Sequence, residues 1–358
     1  MDDQLIDDEA ISLQRRSLLP GKGFFVPDSF DEAAAEKEAA EAIEGSNRLV
    51  IADPDADGLG CVALIRIAFG TASLLPAGPH ELSEALEYVV EYGGEGLELF
   101  VCDLCPDSAD DLDSLPAIAE LAETIRWFDH HQWDDDLEAT VSGYAELVVG
   151  DSDSVCTTDV VLETLEYEFE DRYVELAAVT RDHDLWLRED PRSDDLADYA
   201  YWIEPEEYID TVVEYGADLP EEVEAFLEEH RIEKEALIAK AIDRAEYETI
   251  GELTVGVTYG RCSQNEVAEA MREQGADASV IVKPAGSASI RGTDGFQRCH
   301  EVAGRVNGGG HPKAAGCKPD IYDDMLDYAH HWTTQGAITK QVILDAFRAV
   351  VGDAESAP

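Results

Sequence analysis

Four short apolar runs limit the possible folds of this chain more than any other feature: RLVIAD (48–53), LELFVCD (97–103), TIRWFD (124–129) and AELVVG (145–150). Each closes on a polar cluster or a glycine, and helical stretches such as 58–69 and 109–123 lie between them. Runs without alternation are strands buried on both faces, and their alternation with helices indicates a parallel sheet. The chain has 358 residues, enough for two domains with separate cores. Segment 220–250 has helical periodicity and no breaker after Pro220, so it reads as a connecting helix. A second β/α set follows: GELTVGVTYG, a helix at 264–274, ASVIVKP, SASIRG and a helix ending near Val306. The expected fold is α/β. An acidic Ala/Glu-rich helical lead-in (1–46) precedes a parallel-sheet domain (47–219). The linker helix (220–250) joins it to a smaller α/β domain (251–335), and a C-terminal helix and tail (336–358) follow.

Charge decides the next point. Asp+Glu number 80 against 25 Lys+Arg, a formal net charge of −55, while 45% of residues are apolar. Disorder requires low hydrophobicity as well, so the acidity reads as a surface adapted to very high salt, where counterions screen the repulsion. Screening also means that the field does not exclude a nucleic-acid substrate. The N-terminus, MDDQLIDDEA, lacks the shape of a signal peptide, and no apolar run approaches a membrane span. Seven scattered cysteines suggest reduced thiols, so a cytoplasmic location without membrane contact is expected. Cys102-x-x-Cys105 has no partner motif to make it a zinc site.

Acidic and His residues recur where the apolar runs end. Asp53, Asp55 and Asp57 follow the first run, Asp103 closes the second and Asp129-His130-His131 closes the third. Asp182 and Asp184, in AAVTRDHDLW, follow a further apolar run. Alternate residues of an extended segment share a side, so a D-x-D-x-D can present several carboxylates to one cation. The carboxyl ends of strands form the ligand edge of an open α/β sheet. Carboxylates mixed with imidazoles suit Mn²⁺ or Mg²⁺, and a pair of such ions can activate water for phosphodiester cleavage. His330-His331 is also an HH pair, but it lies in an expected helix and follows no strand. It reads as structural or surface, silent when both are changed.

Residues 304–318, GRVNGGGHPKAAGCK, supply a different chemistry. Gly308, Gly309 and Gly310 let the backbone approach a ligand closely, with His311 and Lys313 beside them. From Lys283 to Lys318 there are six Lys/Arg and two acids, a local net charge of +4 within a strongly acidic chain. That segment reads as a phosphate patch, with Arg291 suited to bidentate contact.

In order, DPDADG, Asp103, DHH at 129–131, Asp182, a linker helix, a Ser-x-Arg strand and GGGHPKAAG resemble the DHH phosphoesterase superfamily with its C-terminal domain. That family includes RecJ-type exonucleases, oligoribonucleases and cyclic-dinucleotide phosphodiesterases, and the resemblance spans about 48–320. It implies two Mn²⁺ ions, with Mg²⁺ as a substitute, in a cleft between domains. The implied ligands are Asp53, Asp55, Asp57, Asp103, His130, Asp182 and Asp184. Asp103 would bridge the ions, and His130, His131, Asp57 and Asp103 would carry the chemistry. Ser289, Arg291, Asn307, Gly308, Gly309, Gly310, His311 and Lys313 fall on the substrate-holding positions. Members often have His at Asp53 or at Ile51, which leaves either an extra carboxylate or a missing ligand at that corner. A fourth Gly is common where this chain has Asn307.

The leading expectation is a metal-dependent exonuclease acting on single-stranded or short DNA or RNA. The alternatives are a small-nucleotide phosphodiesterase or phosphatase (cyclic dinucleotide or 3′-phosphoadenosine type) and a catalytically silent replication or repair scaffold. A homodimer and replication or repair proteins are the other partners considered. The charge itself makes a prediction: unscreened carboxylates should unfold the chain at low ionic strength. Far-UV circular dichroism across KCl concentration should show helix lost in millimolar salt and recovered in multimolar salt. An unchanged spectrum would rule out salt adaptation as the meaning of the acidity.

Overall fold

The computed structural model describes residues 28–78, 81–310, 312–322 and 325–356. The chain divides into two compact units, the first ending at Leu227 and the second beginning at Glu228.

The first unit is built on a five-stranded sheet of order β2-β1-β3-β4-β5, comprising β1 (Arg48–Ala52), β2 (Ser73–Pro76), β3 (Leu97–Cys102), β4 (Ala122–Asp129) and β5 (Glu146–Val149). Every pairing is parallel. The four runs identified from the sequence are therefore strands. β2, whose SLLP is short and closes on Pro76, carried no comparable signal. Buried apolar strands need cover on both faces. On one face Leu49, Ile51, Leu99, Val101 and Trp127 pack with helices α1 (Asp28–Ile43), α3 (Leu82–Tyr92) and α4 (Leu115–Leu121). On the other, Val50, Ala52, Phe100 and Phe128 pack with α2 (Ala56–Phe69), α6 (Thr157–Thr164), α7 (Asp171–Asp184), α8 (Arg192–Trp202) and α9 (Pro205–Tyr215). A short helix, α5 (Asp135–Ser142), lies between β4 and β5. Helix α2 is buried at every position from Ala56 to Ile65, which explains its almost wholly apolar composition. The order 2-1-3-4-5 reverses direction between β1 and β3, which puts a ligand crevice at their carboxyl ends.

Two expectations need correction here. Asp182 and Asp184 do not follow a strand; the run YVELAAVT belongs to helix α7, with Tyr173, Leu176, Ala177 and Thr180 buried at helical spacing. The connecting helix, α10 (Glu221–Asp243), ends before 250, because EYETI forms the edge strand β6 (Glu246–Ile250). Of the acidic lead-in, residues 1–27 lie outside the described residues.

The second unit holds a six-stranded sheet of order β10-β11-β9-β8-β7-β6, with β7 (Leu253–Tyr259), β8 (Ala278–Val282), β9 (Ala288–Gly292), β10 (Gly308–Gly310) and β11 (Ala314–Cys317). Only β7–β8 is parallel, joined through α11 (Gln264–Glu273). Met271, Val267 and Ala268 of α11 cover one face with Ile238 and Ala241 of α10. The other face packs against α12 (Cys299–Gly304) and the last helix, α14 (Ala337–Ser356), which places Ile343, Phe347 and Val350 in the core. The HH pair lies in helix α13 (Met325–Thr333), and its members differ. His330 is exposed, whereas His331 is buried between the Lys283 carbonyl (2.8 Å from Nε2) and the Tyr322 hydroxyl (2.9 Å from Nδ1). Changing both would therefore not be silent; His330 alone is the suitable control.

The last helix should be integral to the second core. Phe347 is fully buried and its ring meets Phe296 at 5.3 Å. Phe347→Ala should cost about 3–5 kcal/mol in the unfolding of that unit, read by denaturant titration. A loss below about 1 kcal/mol would mean that the helix is only peripheral.

Candidate metal centre

The carboxyl ends of β1, β3 and β4 converge, and the side chains there are fixed by backbone donors. Asp55 is the N-cap of α2, its Oδ1 accepting from the Asp57 amide (2.9 Å) and the Gly58 amide (3.0 Å). D-x-D-x-D is therefore not an extended ladder of ligands. Asp53 ends the strand segment, Asp55 caps the helix and Asp57 sits in its first turn. Gly58 is required for this tight entry, since a Cβ there would lie 2.2 Å from the Asp53 carbonyl oxygen.

Asp57 is 2% exposed and is gripped from across the sheet. Its Oδ2 accepts from the Thr157 amide (2.7 Å) and its Oδ1 from the Thr158 amide (2.7 Å), both at the N-terminus of α6. The orphan amides and positive end of that helix favour a buried carboxylate. The Thr157 hydroxyl donates to Asp103 Oδ1 (2.8 Å), so one residue ties two candidate ligands together. Thr157 and Thr158 were not anticipated from the sequence. Their only local signal is CTTD, a helix start with a capping aspartate at Asp159. Asp103 leaves β3 with φ 60°, a left-handed conformation that Asp and Asn tolerate better than most residues.

In DHH, Asp129 is the anchor and the histidines face the cluster. The Asp129 carboxylate is fully buried and accepts from the His130 amide (2.8 Å), the His131 amide (3.3 Å), Trp133 Nε1 (2.7 Å) and, with the proton placed there, His131 Nδ1 (2.7 Å). His130 Nε2 lies 3.3 Å from Asp184 Oδ2, 3.7 Å from Asp103 Oδ1 and 4.0 Å from Asp57 Oδ2. His131 Nδ1 lies 3.8 Å from Asp103 Oδ1. Two ligand sets follow, Asp103–His130–His131 and Asp57–His130–Asp184, with the ligand atoms of each within 4.8 Å of one another. His130 belongs to both.

Asp184 thus faces the cluster and Asp182 does not. Asp182 instead holds the segment after α7, accepting from the Glu189 and Asp190 amides (2.9 and 3.2 Å) and the Ser193 hydroxyl (2.7 Å).

Burial, reinforced by neighbouring carboxylates, raises the pKa of Asp53, Asp103 and Asp184. Burial would raise that of Asp129 as well, but His131 and the hydrogen bonds to it win and lower it. His130 is lowered by burial, which favours the neutral imidazole that binds metal. Burial works against the charged form of His131 too, but Asp129 outweighs it and lifts the group to about 9. The residues fit a divalent cation. Both His130 ring nitrogens and Asp184 Oδ2 are buried without a hydrogen-bond partner, and the donor set of carboxylates and imidazoles suits Mn²⁺ or Mg²⁺.

The other candidate residues lie in the second unit. Arg291, on β9, donates from Nε to Asn265 Oδ1 (2.9 Å) and from a terminal nitrogen to the Ile290 carbonyl (3.2 Å). Ser289 is hydrogen-bonded to Gln264. The triple glycine is a strand rather than an open loop. Gly308–Gly310 pairs with β11, and a Cβ on Gly308 would lie 2.1 Å from the Gly316 carbonyl oxygen. Asn307 enters that strand at φ 56° and donates to the Lys318 carbonyl (3.2 Å). Lys313 forms an exposed ion pair with Asp294 (2.6 Å), and Arg298 pairs with Glu301 (2.6 Å), so both acids of the basic segment are already engaged. His311 lies outside the described residues.

The carboxylate crowding can be measured directly. In chelator, Asp103→Asn should raise the thermal midpoint at neutral pH by a few degrees. Asn keeps the acceptor for Thr157 and tolerates the positive φ while removing one charge. Because the fold disfavours ionised Asp103, the gain should shrink as acid protonates the wild-type group. A lower midpoint for the variant would show that the cluster is not under electrostatic strain.

No family model matches the chain, and no curated protein matches it in sequence. Solved structures do. RecJ from Thermus thermophilus in complex with Mn²⁺ is 16% identical at a TM-score of 0.53, over 93% of this chain and 56% of RecJ. The same enzyme with Mg²⁺ is 17% identical at a TM-score of 0.47, over 93% of this chain and 55% of RecJ. The pGpG-specific phosphodiesterase PggH from Vibrio cholerae is 16% identical at a TM-score of 0.48, over 83% of this chain and 99% of PggH. This chain therefore spans little more than half of RecJ. Among the described residues, no helix is long and apolar enough to cross a membrane. The fold, a five-stranded parallel sheet carrying DHH at the end of β4 and followed by a second, mixed-sheet unit, is similar to that of RecJ from Thermus thermophilus.

Proposed function

We propose that this chain is a metal-dependent phosphodiesterase that hydrolyses single-stranded or short oligonucleotides at the Asp57–Asp103–His130–His131–Asp184 cluster. The observation that carries the reading is the pair of ligand sets sharing His130, with His130 and Asp184 holding buried atoms that lack a partner. The metal would be Mn²⁺ or Mg²⁺, one or two ions held by Asp57, Asp103, His130 and Asp184, with Asp53 as a further carboxylate beside them. Such an ion supplies Lewis-acid polarisation of a phosphoryl oxygen and a water activated at neutral pH.

The remaining roles belong to the protein. Thr157 and Thr158 hold Asp57, and Thr157 also holds Asp103, so both carboxylates meet a cation without reorganising. Asp129 fixes the Nδ1 end of His131, which assigns proton exchange with the leaving oxygen to Nε2. Arg291 supports a substrate-holding role for the second unit. It is a half-buried guanidinium with no carboxylate partner among the described residues, in a chain with a large excess of carboxylates. An anionic phosphate would compensate it.

The test is a panel of end-labelled DNA and RNA oligomers, a cyclic dinucleotide and 3′-phosphoadenosine, incubated with Mn²⁺ in multimolar KCl. Oligomers should shorten, and chelator should abolish the reaction. Asp103→Asn and His130→Ala should lose at least about a thousandfold in kcat, because each removes a ligand. Arg291→Ala should lose about 10- to 100-fold in kcat/KM with metal affinity unchanged, and His330→Ala should match wild type. Turnover of only the cyclic dinucleotide or 3′-phosphoadenosine would move the chain to the small-nucleotide class. Full activity in chelator or of Asp103→Asn would sink the metal mechanism, and no turnover of any substrate would favour a silent protein.

A further inference from the structure

The segment leaving α7 contains features that the metal cluster does not require. Trp186 (φ 57°) and Arg188 (φ 57°) both adopt the left-handed conformation within three residues, starting two positions after Asp184. Neither is a residue that enters this region easily, so the segment is strained and must be held. Asp182 does the holding. Its carbonyl accepts from the Leu187 amide (2.8 Å) and the Arg188 amide (3.4 Å), while its carboxylate takes the Glu189 and Asp190 amides and the Ser193 hydroxyl.

That strain aligns three planar groups. The Arg188 guanidinium lies over the Trp186 ring at 4.9 Å, and His183 meets the same ring edge-on at 5.4 Å. Asp194 fixes the two outer members, accepting from Arg188 (3.0 Å) and pairing with His183 Nδ1 (3.2 Å). Leu187, between Trp186 and Arg188 in sequence, is 51% exposed. The indole Nε1 is buried with no hydrogen-bond partner, an unmet donor close in the chain to the unpaired Asp184 oxygen.

We propose that Trp186 and Arg188 form a nucleobase platform at the rim of the metal centre, on which the base beside the scissile phosphate stacks. The inference rests on the phosphodiesterase reading above and extends it to what is recognised next to the phosphate. A phosphate is the wrong ligand for this spot, because Asp194 already neutralises Arg188 and Asp184 stands nearby. A flat, uncharged ring fits the spot. It stacks on the guanidinium–indole pair and packs against exposed Leu187. Stacking is tolerant of base identity, so the platform sets position along a strand more than sequence.

Titration calorimetry on the Mg²⁺-loaded protein in multimolar KCl tests this with adenosine monophosphate and ribose 5-phosphate, which differ by the base. Wild type should bind adenosine monophosphate about tenfold or more tightly than ribose 5-phosphate. Trp186→Ala should remove that preference, Trp186→Phe should retain part of it, and Arg188→Ala should weaken it. Mg²⁺ affinity should stay at the wild-type value in Trp186→Phe and Trp186→Ala. Equal binding of the two ligands by wild type would overturn the platform, as would an undiminished preference in Trp186→Ala. A drop in Mg²⁺ affinity in both Trp186 variants would also overturn it, since the ring would then serve only to position Asp184. The oligomer assay is independent of these titrations. If oligomers are shortened but Trp186→Ala keeps the preference, the platform alone fails. If the base preference depends on Trp186 but no oligomer is cleaved, the hydrolytic reading alone fails.

Discussion

The grip of two backbone amides on the Asp57 carboxylate is the interaction on which the rest of the first unit depends. A carboxylate enclosed to this degree needs donors for its oxygens, and the start of α6 provides them from a distant part of the chain. The same contact draws the entry of α2 against α6. There Gly60 is as necessary as Gly58, since a Cβ on it would lie 2.6 Å from the Thr158 hydroxyl oxygen. Once α6 is seated, Thr157 reaches Asp103, and the ends of β1 and β3 share one hydrogen-bonded frame. Local conformation, helix packing and ligand placement are therefore set together.

A second constraint is the sign of the charges allowed inside. The cluster concentrates carboxylates and answers them with two imidazoles and helix amides, which leaves it short of positive charge. The second unit has the opposite problem. Arg291, on β9, and Lys283, just past β8, are half-buried neighbours, burial and the Arg291 guanidinium lower the Lys283 amine to about 8, and the acids of that segment are engaged elsewhere. One unit concentrates negative charge at its cluster and the other carries a local excess of positive charge.

Much of this was legible in the sequence because it follows from periodicity and punctuation. Runs such as LELFVCD read as strands buried on both faces, and an acid at the end of such a strand lies at the ligand edge. Other features are settled by contacts distant in sequence. Thr157 and Thr158 look like any helix start until the fold brings them beside Asp57. The choice between Asp182 and Asp184 depends on whether the preceding residues form a strand or a helix. In a strand the two would share a face, whereas in α7 they turn apart, one to the loop and one to the cluster. The triple glycine shows the limit of composition. Its lack of side chains serves contact between two strands, a need that looks identical in sequence to a need for close ligand approach.

The backbone at Asp103 has a consequence for how such a protein changes over time. A left-handed residue at the end of β3 excludes most side chains, so the substitutions that the fold accepts there are few and Asn heads them. If Asp103 acts as proposed, the change that best preserves the architecture is also one that ends the chemistry. Inactivity would then not require decay. A descendant could lose hydrolysis in one step, keep every strand and helix, and persist as a stable binder of the strands its ancestor cut.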